Sequence, residues 1–173
     1  KILAEAMEEL GVETGIVTRS TNDNYIVDCT IETDQLALIP DAYIDLTAEK
    51  IRIYKELDSI SNEKDLDIMK GKLTDRFGKI PVELERLFDI VRIRQLGVKL
   101  GFEKIIIKNG VMIAFFISNP LSQYYKSDRF SKVLENVSMH HQLFEIKQPD
   151  NRLRIVVRNV DSISKAYDIL KKL

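Results

Sequence analysis

The sequence contains one cysteine, Cys29, and two histidines, His140 and His141, among 173 residues. One thiol cannot close an internal disulfide, and a zinc site needs several clustered ligands. A reducing setting, the cytoplasm, is therefore expected. Adjacent histidines in an extended segment point to opposite faces and do not converge on one metal. They read as one partly buried and one exposed side chain, and Cys29 reads as a buried structural thiol. No apolar run approaches the roughly 18 residues of a membrane span, and no secretory signal is visible. The chain opens Lys1-Ile2-Leu3 without a methionine, so a fragment or processed product is expected.

A basic excess is also missing. Twenty-six Lys and Arg face 27 Asp and Glu, for a formal charge of -1 and a pI of about 6.2. Domains that depend on nucleic acid usually carry a basic stripe. Lys126, Arg129, Lys132 and Lys171-Lys172 are candidates for one, but acids are interspersed. No Gly-rich phosphate loop occurs. Gly71-Lys72-Leu73-Thr74 echoes the end of one, without the upstream glycine or the preceding strand. Carboxylate pairs such as Glu83 with Glu85 and Asp65 with Asp67 sit in no acid–base frame. Together these absences leave no recognisable catalytic, cofactor or metal site.

The composition is globular, 45% apolar and 31% charged. A chain of this length buries roughly 70% of its unfolded surface. Residues 1–10 are predicted helical, and 11–24 read as a connector ending in the polar run Ser20 to Asn24. Tyr25 to Ile31 is predicted as a strand, and Leu36 to Tyr43 as an extended segment broken by Pro40. Thr47 suits a helix N-cap, with Ile51, Tyr54 and Leu57 on one face. Ser61 or Asn62 starts a second helix, whose core face carries Leu66, Met69, Leu73 and Phe77 and which Gly78 ends. Pro81 begins a third, with Leu84, Leu87, Phe88 and Val91 at helical spacing. Gly101 closes it.

Beyond Gly101 the texture turns to strands. Asn109-Gly110 between Ile105-Ile106-Ile107 and Val111 to Ile117 is a strong hairpin signal. A helix is predicted to open at Asn119-Pro120 and to carry Phe130, Val133, Leu134 and Val137, with Tyr124-Tyr125 packed on the sheet edge. A second hairpin follows, Leu143 to Lys147 and Leu153 to Val157 about Pro149-Asp150-Asn151. Asp161 is predicted to cap a last helix carrying Ile163, Ala166, Tyr167 and Leu170. The order ββαββα implies an α+β fold: a mainly antiparallel sheet over 102–173, helices on one face, and a helical part over 47–100 as a separate layer.

The run Leu73-Thr74-Asp75-Arg76-Phe77-Gly78 is locally the most informative. Asp75 lies in a last helical turn, where the macrodipole disfavours an anion by roughly 0.3–1 kcal/mol, and Arg76 is favoured there. An acid so placed invites a cation from elsewhere. The local alternative is a weak pair with Lys72 three residues earlier.

Three segments in order, Leu36 to Ile44 with Pro40-Asp41-Ala42-Tyr43, Arg52-Ile53-Tyr54-Lys55, and Leu73 to Pro81, resemble the C-terminal domain of bacterial transcription-repair coupling factors (Mfd). The resemblance is specific over 36–101 and looser from 102 to 173. It implies a connector over 1–24 leaving a motor and a regulatory, non-catalytic domain over 25–173. The implied parent is an ATP-driven DNA translocase that acts on stalled RNA polymerase and recruits UvrA. The domain would clamp the UvrB-like N-terminal module of its own chain and mask the surface that UvrA uses. Cofactors, small-molecule ligands and membranes have no part in that role. By match, Asp75, Arg76 and Lys72 are the candidate interface residues, with Lys72 standing where the family often has Glu. The competing readings are a nucleic-acid-binding accessory domain and a small enzyme.

Overall fold

The computed structural model describes residues 25–173. The helix expected over 1–10 and the connector expected over 11–24 lie outside the described residues. Within them the chain forms two compact units, Leu36–Arg92 and the remainder, 25–35 with Ile93–Leu173.

The first unit is helical. Helix α1, Thr47–Ser59, buries Lys50, Ile53, Tyr54 and Leu57, one stripe at i, i+3, i+4 and i+7. Thr47 is its first helical residue, not its cap. The N-cap is Leu46, which offers no side-chain acceptor. The stripe also differs from the expected one. Ile51 is half-buried, and Lys50 takes the core position, its ammonium turned out to the Asp41 carboxylate. A long side chain can bury its methylenes and keep its charge paired at the surface.

Helix α2, Glu63–Phe77, has Asn62 as N-cap, and that side chain accepts from the Asp65 N–H at 2.8 Å. Leu66, Met69 and Leu73 form its buried face. Helix α3, Val82–Leu100, follows Pro81, whose carbonyl accepts the first helical N–H groups, from Leu84 and Glu85. Leu84, Leu87, Phe88 and Val91 are wholly buried. Each such side chain contributes about 1.5–3 kcal/mol of transfer free energy. α3 begins in the first unit and ends in the second.

The second unit holds a mixed five-stranded sheet in the order β1-β2-β3-β5-β4. Its strands are β1 Thr30–Thr33, β2 Phe102–Lys108, β3 Val111–Phe116, β4 Glu145–Lys147 and β5 Arg154–Arg158. Three pairings are antiparallel and one, β1 with β2, is parallel. Asn109 (φ 54) and Gly110 (φ 73) supply the two left-handed positions the β2–β3 turn requires. β1 starts at Thr30, five residues later than expected. The Cys29 N–H is already taken by the Asp28 carboxylate at 2.8 Å, an Asx-type bond that competes with a ladder.

The helix expected to open at Asn119-Pro120 also starts late. Gln123–Lys126 forms a single 3-10 turn, and helix α4 runs Asp128–Met139 from an N-cap at Ser127, which accepts from Phe130 N–H. Ser162, not Asp161, caps helix α5, Ile163–Leu170, by accepting from Lys165 N–H at 3.1 Å. The ββαββα order over the C-terminal half is observed. Phe130 of α4 meets the sheet residue Phe116 edge-on at 5.6 Å. Asn136 of α4 donates to the Leu173 carbonyl beyond α5, so both helices lie over one face of the sheet. That face, including Ile105, Met112, Ala114 and Ile155, is essentially inaccessible.

Candidate protein-interaction site

The three sequence segments singled out above converge in the first unit, and each contact between them has a physical cause. The buried backbone N–H of Ile39 donates to the Tyr54 hydroxyl at 2.9 Å. That ties the extended segment to α1 and satisfies a donor that Pro40 and the absence of a ladder would otherwise strand. The Tyr43 hydroxyl reaches the carbonyls of Leu73 (3.1 Å) and Gly78 (2.9 Å). The first lies in the last turns of α2 and the second just past its end, so the hydroxyl bridges the helix and its C-cap. The Tyr43 ring rests on Phe77 at 5.8 Å, and burial pushes its phenol pKa up.

Arg76 is held inside this frame. Its guanidinium pairs with Glu49 at 2.8 Å and lies over the Phe77 ring at 5.0 Å. Glu49 also accepts from Arg52 at 2.7 Å. Hydrogen bonds from Arg52 and then Arg76 lower its pKa. Nothing in the sequence marked Glu49, because its partner lies 27 positions away.

Lys72 and Asp75 are exposed. The i to i+3 pair considered for them is not formed, and neither has an ion-pair partner among the described residues. Ile68, 47% exposed, completes a stripe at i, i+4 and i+7 on the solvent side of α2. Sequence reasoning missed Ile68, because an isolated apolar residue in a charged helix carries no signal of its own. The C-terminal end of α2 thus presents an apolar side chain, a cation and an anion on one rigid face. Its position is fixed by two tyrosines and by Arg76.

The remaining candidates resolve into structural roles. Gly71 to Thr74 lies within α2 and forms no phosphate loop. His140 is half-buried at the end of α4, its Nδ1 3.0 Å from the Asn136 carbonyl, while His141 is exposed. Lys132 pairs with Glu135 and Lys171 with Asp168, so two of the cations weighed for nucleic acid are engaged locally. Among the described residues, no three His, Cys, Asp or Glu side chains gather as metal ligands, and no helix is long and apolar enough to cross a membrane.

Cys29 is fully buried, and a Cβ placed at Gly97 would stand 2.7 Å from its sulfur. Desolvation, then the Asp28 charge, pushes the thiol pKa up to about 12, and Arg94 opposes this only in part. A raised thiol pKa means less thiolate at any pH below it. Native Cys29 should therefore react with a chromogenic disulfide reagent at pH 8 roughly a thousandfold more slowly than the urea-unfolded chain. Comparable rates in the two states would contradict its burial.

A family model, the TRCF domain, matches residues 33–127. The chain belongs to the TRCF domain family. The match takes in all three segments of the α2 frame. Transcription-repair-coupling factor of Rickettsia conorii is 34% identical over 133 residues, which is 76% of this chain and 11% of that protein. The Rickettsia prowazekii protein is 35% identical over 124 residues, and that of Escherichia coli 36% over 75 residues, 43% of this chain. The chain thus spans about a tenth of the length of the first two of these relatives. A crystal structure of the C-terminal domain of transcription-repair coupling factor superposes with a TM-score of 0.68. It covers 84% of this chain and 86% of that one at 21% identity, a likeness of fold. This TRCF domain is therefore α+β with the architecture of that C-terminal domain.

Proposed function

We propose that this TRCF domain is a regulatory, non-catalytic contact domain. It docks through the solvent stripe of α2 on the UvrB-like N-terminal module of its parent, and so withholds the surface through which UvrA is recruited. The observation that carries the reading is the α2 stripe itself. Asp75 is exposed, unpaired among the described residues and set against the helix dipole, so it is electrostatically poised for a cation supplied from outside. Lys72 gives the stripe a second, opposite charge for an acidic partner, and Ile68 gives it an apolar anchor. Arg76, engaged with Glu49, sets the angle of the helix end. Through its parent, the domain would influence RNA polymerase and DNA indirectly.

The test is a calorimetric titration of this chain with the isolated UvrB-like module at two salt concentrations, followed by a double-mutant cycle. Asp75→Ala should weaken binding about tenfold, the equivalent of 1.4 kcal/mol. It should show coupling to one arginine of the module and none to the others. UvrA should displace this chain from the module. Equal affinity of Asp75→Ala and the parent chain would remove the stripe from the contact.

A further inference from the structure

The second unit carries a sheet face opposite to the one that α4 and α5 cover. The strand register arranges it in rows. One row runs Glu32, Ile106, Ile113, Val156, Glu145 across all five strands. It is apolar in the middle and acidic at both ends. The next row runs Lys104, Phe115, Arg154, Lys147. On the other side of the apolar row, Lys108, Val111 and Arg158 align. Two cationic rows therefore flank one aliphatic row.

The charges on this face do not balance. Five cations meet two carboxylates, on a chain whose net charge is -1. Both carboxylates are already shared. Glu32 pairs with Lys104 at 2.9 Å and Lys108 at 3.6 Å. Glu145 pairs with Arg158 at 3.3 Å and Lys147 at 3.4 Å. Arg154 has no carboxylate partner among the described residues. Its guanidinium lies over Phe115 at 4.9 Å, and that of Arg152, which pairs with Glu103 at 3.2 Å and so adds nothing to the imbalance, lies over the same ring at 5.4 Å. The Nε atoms of both arginines are buried without a hydrogen-bond partner. Ile106, Ile113 and Phe115 are half-buried, and Val156 is 7% exposed, so the opening of the row centres on β2 and β3.

We propose that this face is a docking surface for an acidic amphipathic helix. Geometry and charge select that occupant. Neighbouring strands are about 4.8 Å apart, close to the roughly 5.4 Å rise of one helical turn. A helix laid across the strands can set one apolar residue per turn over Ile106, Ile113 and Val156 in succession. Cationic rows on both sides stand about 7 Å from the apolar row, two residues along each strand. They meet the flanks of such a helix, where Asp and Glu would face Arg154 and Lys147 on one side and Lys108 and Arg158 on the other.

Single-stranded nucleic acid fits less well. Its recognition on a sheet uses several open aromatic rings. Here there is one ring, two guanidinium groups cover it, and the centre is aliphatic. A second copy of the chain would set five cations against five.

The experiment is an amide NMR titration of this chain with an 18-residue peptide. The peptide carries Leu at i, i+3, i+7, i+10 and i+14, with Glu and Asp on the flanks. A scrambled peptide of the same composition and a 15-nucleotide oligothymidine serve as comparisons. The patterned peptide should shift Ile106, Ile113, Phe115 and Val156. Its affinity should exceed that of the scrambled peptide about tenfold and fall as salt rises. The double reversal Arg154→Glu with Arg158→Glu should abolish binding. The milder Arg154→Gln, which keeps the fold if the charge reversal does not, should weaken it severalfold. Asp75→Ala should leave it unchanged, which separates this surface from the α2 stripe. Shifts outside these rows, equal binding of the scrambled peptide, tighter binding of the oligothymidine, or self-association through the same residues would each overturn the proposal.

Discussion

Gly101→Ala is expected to destabilise the domain by about 2–5 kcal/mol, summing the cost of a left-handed alanine and of overpacking. Gly101 has φ +95, and a Cβ there would stand 2.2 Å from Cε2 and 2.3 Å from Cζ of Tyr124. Tyr124 cannot give way. It is wholly inaccessible, its hydroxyl donates to the Leu100 carbonyl, and the rings of Phe130 (5.3 Å), Tyr125 (5.4 Å) and Phe116 (6.2 Å) surround it. Urea denaturation followed by circular dichroism measures the effect, and the melting temperature should fall by roughly 4–20 °C. The two causes separate in a Tyr124→Ala background. There the clash is gone, and Gly101→Ala should cost only the roughly 1–2 kcal/mol of the backbone conformation. A full-sized penalty in that background would show that the ring contact is not the cause.

The second large effect falls on the α2 frame. Tyr54→Ala should cost about 3–5 kcal/mol, as for other buried aromatic truncations, because its ring is 3% exposed. Tyr54→Phe keeps the ring and removes the hydroxyl that accepts from the buried Ile39 N–H. An unsatisfied buried donor costs about 1–3 kcal/mol. Amide exchange gives the distinguishing readout. In Tyr54→Phe the Ile39 amide should exchange markedly faster, while amides in the middle of α3 report only the global loss of stability. If Ile39 kept its protection, the hydroxyl would not be its partner. The same variant bears on the proposed docking. Tyr54 positions the segment that carries Tyr43, and Tyr43 holds the end of α2 through the Leu73 and Gly78 carbonyls. A loosened frame should therefore weaken binding of the UvrB-like module without touching Asp75.

The site shows how local and distant information divide. Asp75 was legible as an exposed anion at a helix end because dipole, spacing and the following glycine are all local. The engagement of Arg76 with Glu49 was not, since nothing in either residue's neighbourhood announces the other. Ile51 was expected in the core stripe and Lys50 passed over for a related reason: a lysine at a core position reads as surface until Asp41 is seen beside it. The cap positions slipped by one residue, Thr47 to Leu46 and Asp161 to Ser162. Ser162 satisfies the same capping preference as Asp161, whereas Leu46 offers no side-chain acceptor, so the entry of the chain and not the capping chemistry sets the start of α1.

Periodicity alone determined that α1, α2 and α3 exist and which faces of α2 and α3 are buried. Asn109-Gly110 alone determined the first hairpin, because few dipeptides accept two consecutive left-handed residues. The order of strands and helices set the α+β class. Tertiary structure decided what pairs with what. β1 is parallel to β2 and closes one edge of the sheet although residues 34–101 separate them, a pairing that no local pattern encodes. Register decided that Ile106, Ile113 and Val156 share one row and that the lysines and arginines beside them crowd two others. Each of those residues is unremarkable along the chain. Only the sheet, which brings Ile113 and Val156, more than forty positions apart, to within one strand spacing, makes of them a surface with a sign and a shape.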